Sequence, residues 1–393
     1  MTILAGAGTK TLDNAYESGR LATEEALVTL NGRTPSLMLA FITHHYNAPE
    51  VIRGIYQTAG QAPLMGCHAG GIISSEGASK KGVVVLALQA DSLEVTLASE
   101  SGISDHPVEI SERVAERIEN KIPPAGSGKH VAALILANGF ARTLEEVLHS
   151  TATFMGPLCP LVGGGSGNVV DTNAFGKNLF VNGQCFEDAL AIALLNSPAA
   201  IGIGVSHGWT PIGRPLVVTR TQGHIVLELN GRSAFEVYCD LFPKGNLTLD
   251  NFAPFVSAHP LGLPQVSGEF IIRDPMQTYA NGSIEFTATI PENTVTHIMQ
   301  ADQASLCSAA QAAAQQALNG LGGKPVAAAF VFDCVSRLNF LGVEADTEVN
   351  LIRDILGRDT PLAGMFSFGE FATAHGPAAF HNKTVVVCAL GQE

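Results

Sequence analysis

Three times along the chain an apolar run is followed by a stretch with helical spacing and then by a second apolar run. The first run covers residues 37–42. Behind it Val51, Ile52, Ile55 and Tyr56 share one face of a helix predicted over 49–59, with Asn47 in the capping position. The second run, 131–137, leads into 144–155. There Leu144, Val147, Leu148 and Thr151 share a face, and Thr143 and Glu146 have the spacing of a capping box. The third, 326–332, leads into 346–356, with Val349, Ile352 and Leu356 inward and Gly357 as the stop. Each helical stretch ends in Pro-Leu-x-Gly, at Pro63–Gly66, Pro160–Gly163 and Pro361–Gly364, and each motif opens a turn-rich segment. A further apolar run closes each unit, at 83–88, 189–195 and 385–390.

Strand, helix, strand and strand in that order predict an α/β fold. Repeated βαβ units should build mixed, largely parallel sheets with helices outside, arranged as two similar halves. A degenerate fourth unit is suggested by Pro260-Leu261-Gly262, because Gly268-Glu269-Phe270 echoes Gly369-Glu370-Phe371. Strands are expected at 201–205, 216–219 and 225–229 and a short helix at 234–241, which places the domain junction there, between residues 1–225 and 226–393. The Ala-rich stretch 302–318 has strong helix propensity.

Composition narrows the function. The chain has 393 residues, 22 Lys and Arg against 36 Asp and Glu, and a formal charge of −14, which argues against a nucleic-acid partner. Its 46% apolar content supports a large core. Seven widely spaced cysteines with no Cys-x-x-Cys exclude a disulfide framework. The start lacks the basic and apolar pattern of a signal peptide, and the apolar runs are too short to span a bilayer. A soluble, cytoplasmic protein is expected.

The candidate chemistry is diffuse. Glycine-rich turns after strands offer backbone N–H groups to a ligand, or simply turn the chain tightly. None has a known phosphate motif: Gly128-Lys129 lacks the remainder of a P-loop, and Ser166 lacks a nucleophile elbow because Asn168 stands where its last glycine belongs. Of the twelve histidines, His68, His207, His259 and His381 fall at predicted strand ends and loops. Cys67 beside His68 could be a nucleophile with its base, and Cys159-Pro160 could ligate haem through its thiolate. Glu370 and Glu269, each after a glycine, could do acid–base work.

Gly364-Met365-Phe366-Ser367-Phe368-Gly369-Glu370-Phe371, then Phe380-His381-Asn382-Lys383-Thr384 and a final strand, resembles the end of the FIST sensory domain. The N-terminal part is similar at Gly66-Cys67-His68-Ala69-Gly70-Gly71, at Val162-Gly163-Gly164-Gly165-Ser166 and at His207-Gly208-Trp209. Arg273 also resembles a family position. The resemblance covers roughly residues 36–390 and implies a FIST N-terminal domain (1–225) followed by a FIST C-terminal domain (226–393). It implies a bacterial, non-enzymatic sensor that binds a small ligand through Gly66, Gly70, Gly164, Ser166, Trp209, Arg273, Gly369, Glu370 and Asn382. The stand-alone form resembles nitric-oxide-sensing haem proteins that act on a partner histidine kinase or a cyclic-di-GMP enzyme, possible homodimers. In that reading His381, His207, His68 and His259 are the candidate axial ligands. An amino-acid or other small-metabolite sensor is the rival, and a cysteine-dependent enzyme a further one.

Overall fold

The computed structural model describes residues 2–167, 176–241, 247–373 and 376–393; Asn168 lies outside them. The three predicted units are present, each built on a parallel strand pair. Leu37–Thr43 pairs with Leu64–Ala69, His130–Asn138 with Leu161–Ser166, and Val326–Cys334 with Leu362–Ser367. The crossovers carry the helices Ala48–Ala59, Leu144–Met155 and Ala345–Leu356, the last preceded by Val335–Leu341. Asn47 caps the first helix, accepting from the Glu50 N–H at 3.3 Å. The predicted capping box at Thr143 does not form, because its hydroxyl donates to the Ile103 carbonyl at 2.8 Å.

The Pro-Leu-x-Gly motif starts the second strand of each parallel pair, and its parts do the same work three times. The proline has no N–H to leave unpaired at a strand start. Its carbonyl accepts from the neighbouring strand, from Met38, Ala133 and Ala329 at 2.7, 2.9 and 3.0 Å. The leucines, Leu64, Leu161 and Leu362, are buried. The glycine removes a clash. A Cβ on Gly66 would stand 2.0 Å from the Ala40 carbonyl oxygen, on Gly163 1.8 Å from that of Ile135, and on Gly364 2.4 Å from that of Val331. Each of these carbonyls belongs to the residue paired with the glycine across the ladder.

The repeats interlock in a cycle. One sheet runs Leu4–Lys10, Val83–Gln89, Leu37–Thr43, Leu64–Ala69, and is then extended by the hairpin Leu179–Val181 and Gln184–Phe186 of the second repeat. The second runs Glu94–Ser101, Ala189–Ser197, His130–Asn138, Leu161–Ser166, extended by Glu370–Ala372 and Ala379–His381 of the third. The third runs Ile201–Ser206, Val385–Gly391, Val326–Cys334, Leu362–Ser367, extended by Gly71–Ser74 and Gly77–Ser79 of the first. Among the described residues, parallel pairing in these sheets is confined to the βαβ units. The flanking strands are antiparallel because hairpins and direct returns join them. One apolar core draws on all three sheets, with Phe41, Leu134 and Phe330 among its members. The residues after the three motif glycines, Cys67, Gly164 and Met365, meet inside it. Cys67 Sγ lies 3.3 Å from Met365 Sδ, and a Cβ on Gly164 would press on Met365.

The chain packs as two compact units. The larger holds the three repeats, Met1–Ser206, Ala309–Phe380 and Thr384–Glu393. The smaller is His207–Ser308 with the short piece His381–Lys383. It contains an antiparallel sheet with strands such as Thr210–Gln222, Ile225–Leu229, Leu261–Pro264 and Val295–Gln300, over a core that includes Tyr238, Phe252 and Phe286. The suspected fourth repeat is here and is not a repeat. Leu261–Pro264 runs antiparallel to both its neighbours, Phe270–Arg273 and Val295–Gln300. The doubled interval between Pro160 and Pro361 comes from His207–Ser308 interrupting the third repeat. Within the expected mixed α/β fold, similarity along the chain runs in three woven repeats.

The glycine constraint predicts a stability difference. Gly163→Ala, forced against backbone, should cost about 1–3 kcal/mol in denaturant unfolding. Gly376→Ala, with nothing within 4 Å of the added carbon, should stay within about 0.5 kcal/mol of the parent.

Candidate functional site

Three separate segments of the smaller unit bring charged and aromatic side chains together. They are His207–Trp209, the end of the strand Phe270–Arg273 with Asp274, and the piece His381–Lys383. Lys383 holds a left-handed backbone conformation (φ 53°), which turns the chain at this point. Its Nζ lies 3.0 Å from Asp274 Oδ1 and 5.2 Å from the centre of the Trp209 ring. Both ion-pair partners are nearly inaccessible, Lys383 at 2% and Asp274 at 7%. Asn382 ties the segments together. Its Oδ1 accepts from Thr287 Oγ1 at 2.5 Å and from the Asp274 N–H at 3.4 Å.

Arg273 is buried next to this pair, with 6% of its surface exposed. His381 retains some surface, yet its imidazole is closely surrounded. Burial, then the positive charge of Arg273 and the neighbouring His207, push its pKa down to about 3, so it is a neutral imidazole at physiological pH. His207 Nδ1 accepts from the Trp209 N–H at 2.9 Å, which leaves its proton on Nε2. The cluster thus holds two long cations, one carboxylate, two imidazoles, an amide and an indole, groups with the chemistry to ion-pair and hydrogen-bond with a small charged molecule.

Of the residues singled out in the sequence, Trp209, Arg273, Asn382, His207 and His381 are brought together here. His259 is in the same unit but serves a helix end: its Nδ1 lies 2.9 Å from the Phe255 carbonyl and its ring stacks on Phe255. His68 is in the larger unit, with Nε2 at 3.0 Å from the Tyr46 carbonyl and a pKa lowered by burial. Gly66 and Gly164 lie in buried strands there, and Gly70 donates to the Phe366 carbonyl at 2.8 Å. Ser166 Oγ donates to Ala137 at 3.0 Å, and Gly369 takes a positive φ of 96° beneath the Phe380 ring. Glu370 is fully buried in the larger unit.

The cysteines are poor nucleophiles. Burial pushes the Cys67 thiol far up and the Cys159 thiol up to about 12, so neither supplies thiolate at neutral pH. Among the described residues no group of three or more His, Cys, Asp or Glu side chains is placed to hold a metal ion, and no helix is long and apolar enough to cross a membrane.

Residues 36–232 match the FIST N domain and residues 234–373 the FIST C domain. The chain belongs to the FIST family. FIST domains are sensory domains of signal transduction that bind small ligands. This FIST protein is 26% identical to an uncharacterised protein of Mycobacterium bovis over 417 residues, covering 96% of both chains. It is 25% identical to one of Mycobacterium tuberculosis over 410 residues, covering 96% of this chain and 97% of the other. A solved cyanuric acid hydrolase aligns over the whole of both chains at 8% identity and a TM-score of 0.38, too distant to bear on function.

Sequence reasoning missed Lys383, Asp274 and Thr287. Lys383 and Asp274 directly follow two chosen residues, Asn382 and Arg273, and a charge beside each was the available signal. The buried ion pair makes a prediction about the FIST fold. Lys383→Met leaves Asp274 buried without its cation and should destabilise the protein by about 3 kcal/mol in denaturant unfolding. Adding Asp274→Asn to it should recover much of the loss.

Proposed function

We propose that this FIST protein senses a small carboxylate-bearing metabolite, an amino acid or a close relative, at the cluster of Arg273, Asp274, Lys383, His381, Asn382 and Trp209. The observation that carries the reading is the convergence of three distant segments on one buried ion pair. Two cations offer charge-assisted hydrogen bonds to a carboxylate, Asp274 offers one to an ammonium, and the Trp209 face accepts an alkyl chain or a cation. A neutral His381 adds a hydrogen bond without adding charge. The ligand's occupancy is then passed to a separate signalling protein, for which a histidine kinase or a cyclic-di-GMP enzyme is the expectation carried by the family resemblance.

Haem sensing of nitric oxide is the rival. A porphyrin needs an apolar slot on both faces and one free imidazole nitrogen. Arg273 could meet a propionate, but the groups around His381 are charged and hydrogen-bonding and do not fit a haem face. His259 and His68 each have a ring nitrogen beside a backbone carbonyl.

Thermal unfolding with a panel of the twenty amino acids and simple dicarboxylates tests the reading. At a hundredfold excess over Kd a bound ligand stabilises the fold by about 2.7 kcal/mol, a visible rise in Tm. Arg273→Gln should weaken that ligand at least about tenfold, the scale of one hydrogen bond to a charged group. No stabilisation by any carboxylate, together with stoichiometric haemin uptake and a Soret band, would overturn the reading in favour of haem.

A further inference from the structure

The larger unit buries a second group of charges that the ligand reading does not use. Asp333 ends the strand Val326–Cys334, Arg337 lies on the helix Val335–Leu341, Glu348 in the first turn of Ala345–Leu356, and Glu370 starts the strand Glu370–Ala372. All four are fully buried. Arg337 Nε lies 3.0 Å from Asp333 Oδ1, and its Nη2 is bonded to Glu348. Glu370 accepts from Ser367 Oγ at 2.8 Å and from the Thr384 N–H at 3.2 Å, with the Cys334 thiol as a further donor. One guanidinium faces three carboxylates.

Three carboxylate charges against one cation cannot coexist in a dry interior, because each uncompensated charge loses its hydration without recovering it. Two protons restore neutrality. Burial, then the charge of the neighbouring Glu348, hold the Asp333 carboxyl well above the usual carboxylate range. Asp333 therefore keeps one proton. The second belongs to Glu370, whose pKa burial pushes up to about 8, against the lowering effect of Ser367, Thr384, Cys334 and Arg337. In neutral solution the cluster carries no net charge, and just above it Glu370 ionises into a site whose one cation among the described residues, Arg337, is already shared.

We propose that Asp333, Arg337, Glu348 and Glu370 form a proton-operated clasp that holds Thr384 and the strand Val385–Gly391 firmly when Glu370 is protonated and loosens them when it ionises. The clasp makes the larger unit responsive to alkalinisation, independently of any ligand. The sign follows from linkage. The folded state keeps the Glu370 proton over a range in which an unfolded glutamate, with its ordinary pKa of 4.5, has lost it. Stability is therefore full below the ordinary value and is lost as pH rises from there through about 8.

Two measurements on the full chain test the clasp. Infrared difference spectra of the parent protein, with glutamate isotope-labelled, should show a protonated carboxyl at pH 7 that disappears around pH 8. Hydrogen exchange, corrected for its intrinsic pH dependence, should show Thr384 losing protection about tenfold per pH unit as pH rises from the ordinary glutamate range towards about 8 and levelling off above it, as one released proton requires. Glu370→Gln should keep the protection and remove the part of its pH dependence that runs up to about 8. A glutamate carboxyl fully ionised at pH 7, or Thr384 protection that follows the same pH course in Glu370→Gln, would overturn the proposal.

Discussion

The close approach of two backbones is the constraint on which the larger unit rests. At Gly66, Gly163 and Gly364 a parallel neighbour's carbonyl oxygen occupies the place a side chain would need. Only glycine lacks the atom that would collide, so the three strands can lie against their partners and converge on Cys67, Gly164 and Met365. The proline and leucine of each motif set the start of the ladder and its inward face. The same local solution recurs three times because the same geometry recurs three times.

Interlocking follows from that convergence. Each repeat hands its hairpin to another repeat's sheet, so no repeat completes a sheet by itself. A sheet short of its hairpin would expose an unpaired edge and part of the shared apolar core. The third repeat carries His207–Ser308 after its first strand, with the helix Gln303–Asn319 beginning inside that stretch, and the short piece His381–Lys383 between the end of its hairpin and its last strand. The charged cluster of the smaller unit is assembled from those two excursions.

Much of the larger unit was legible because apolar periodicity and the Pro-Leu-x-Gly motif report directly on strand, helix and ladder start. The helix at Ala48–Ala59 and its Asn47 cap were readable at residue level. The exchange of hairpins was not, since pairing partners far apart in sequence leave no local trace. Pro260-Leu261-Gly262 misled for a related reason: an insertion close to one repeat in length kept the interval regular. The glycine loops seemed natural ligand contacts, yet the space their missing side chains leave is filled by neighbouring strands. In the smaller unit the histidines and Arg273 were chosen individually, and only the fold showed that they share one place with Lys383 and Asp274.

The central claim is that recognition belongs to the ion-paired cluster and not to the glycine turns of the three repeats. Hydrogen–deuterium exchange of the intact chain, with and without the carboxylate that stabilises it most, reads this directly. The account predicts that protection rises at residues 207–209, 270–287 and 381–383. Protection confined to 66–71 and 163–167 would contradict it.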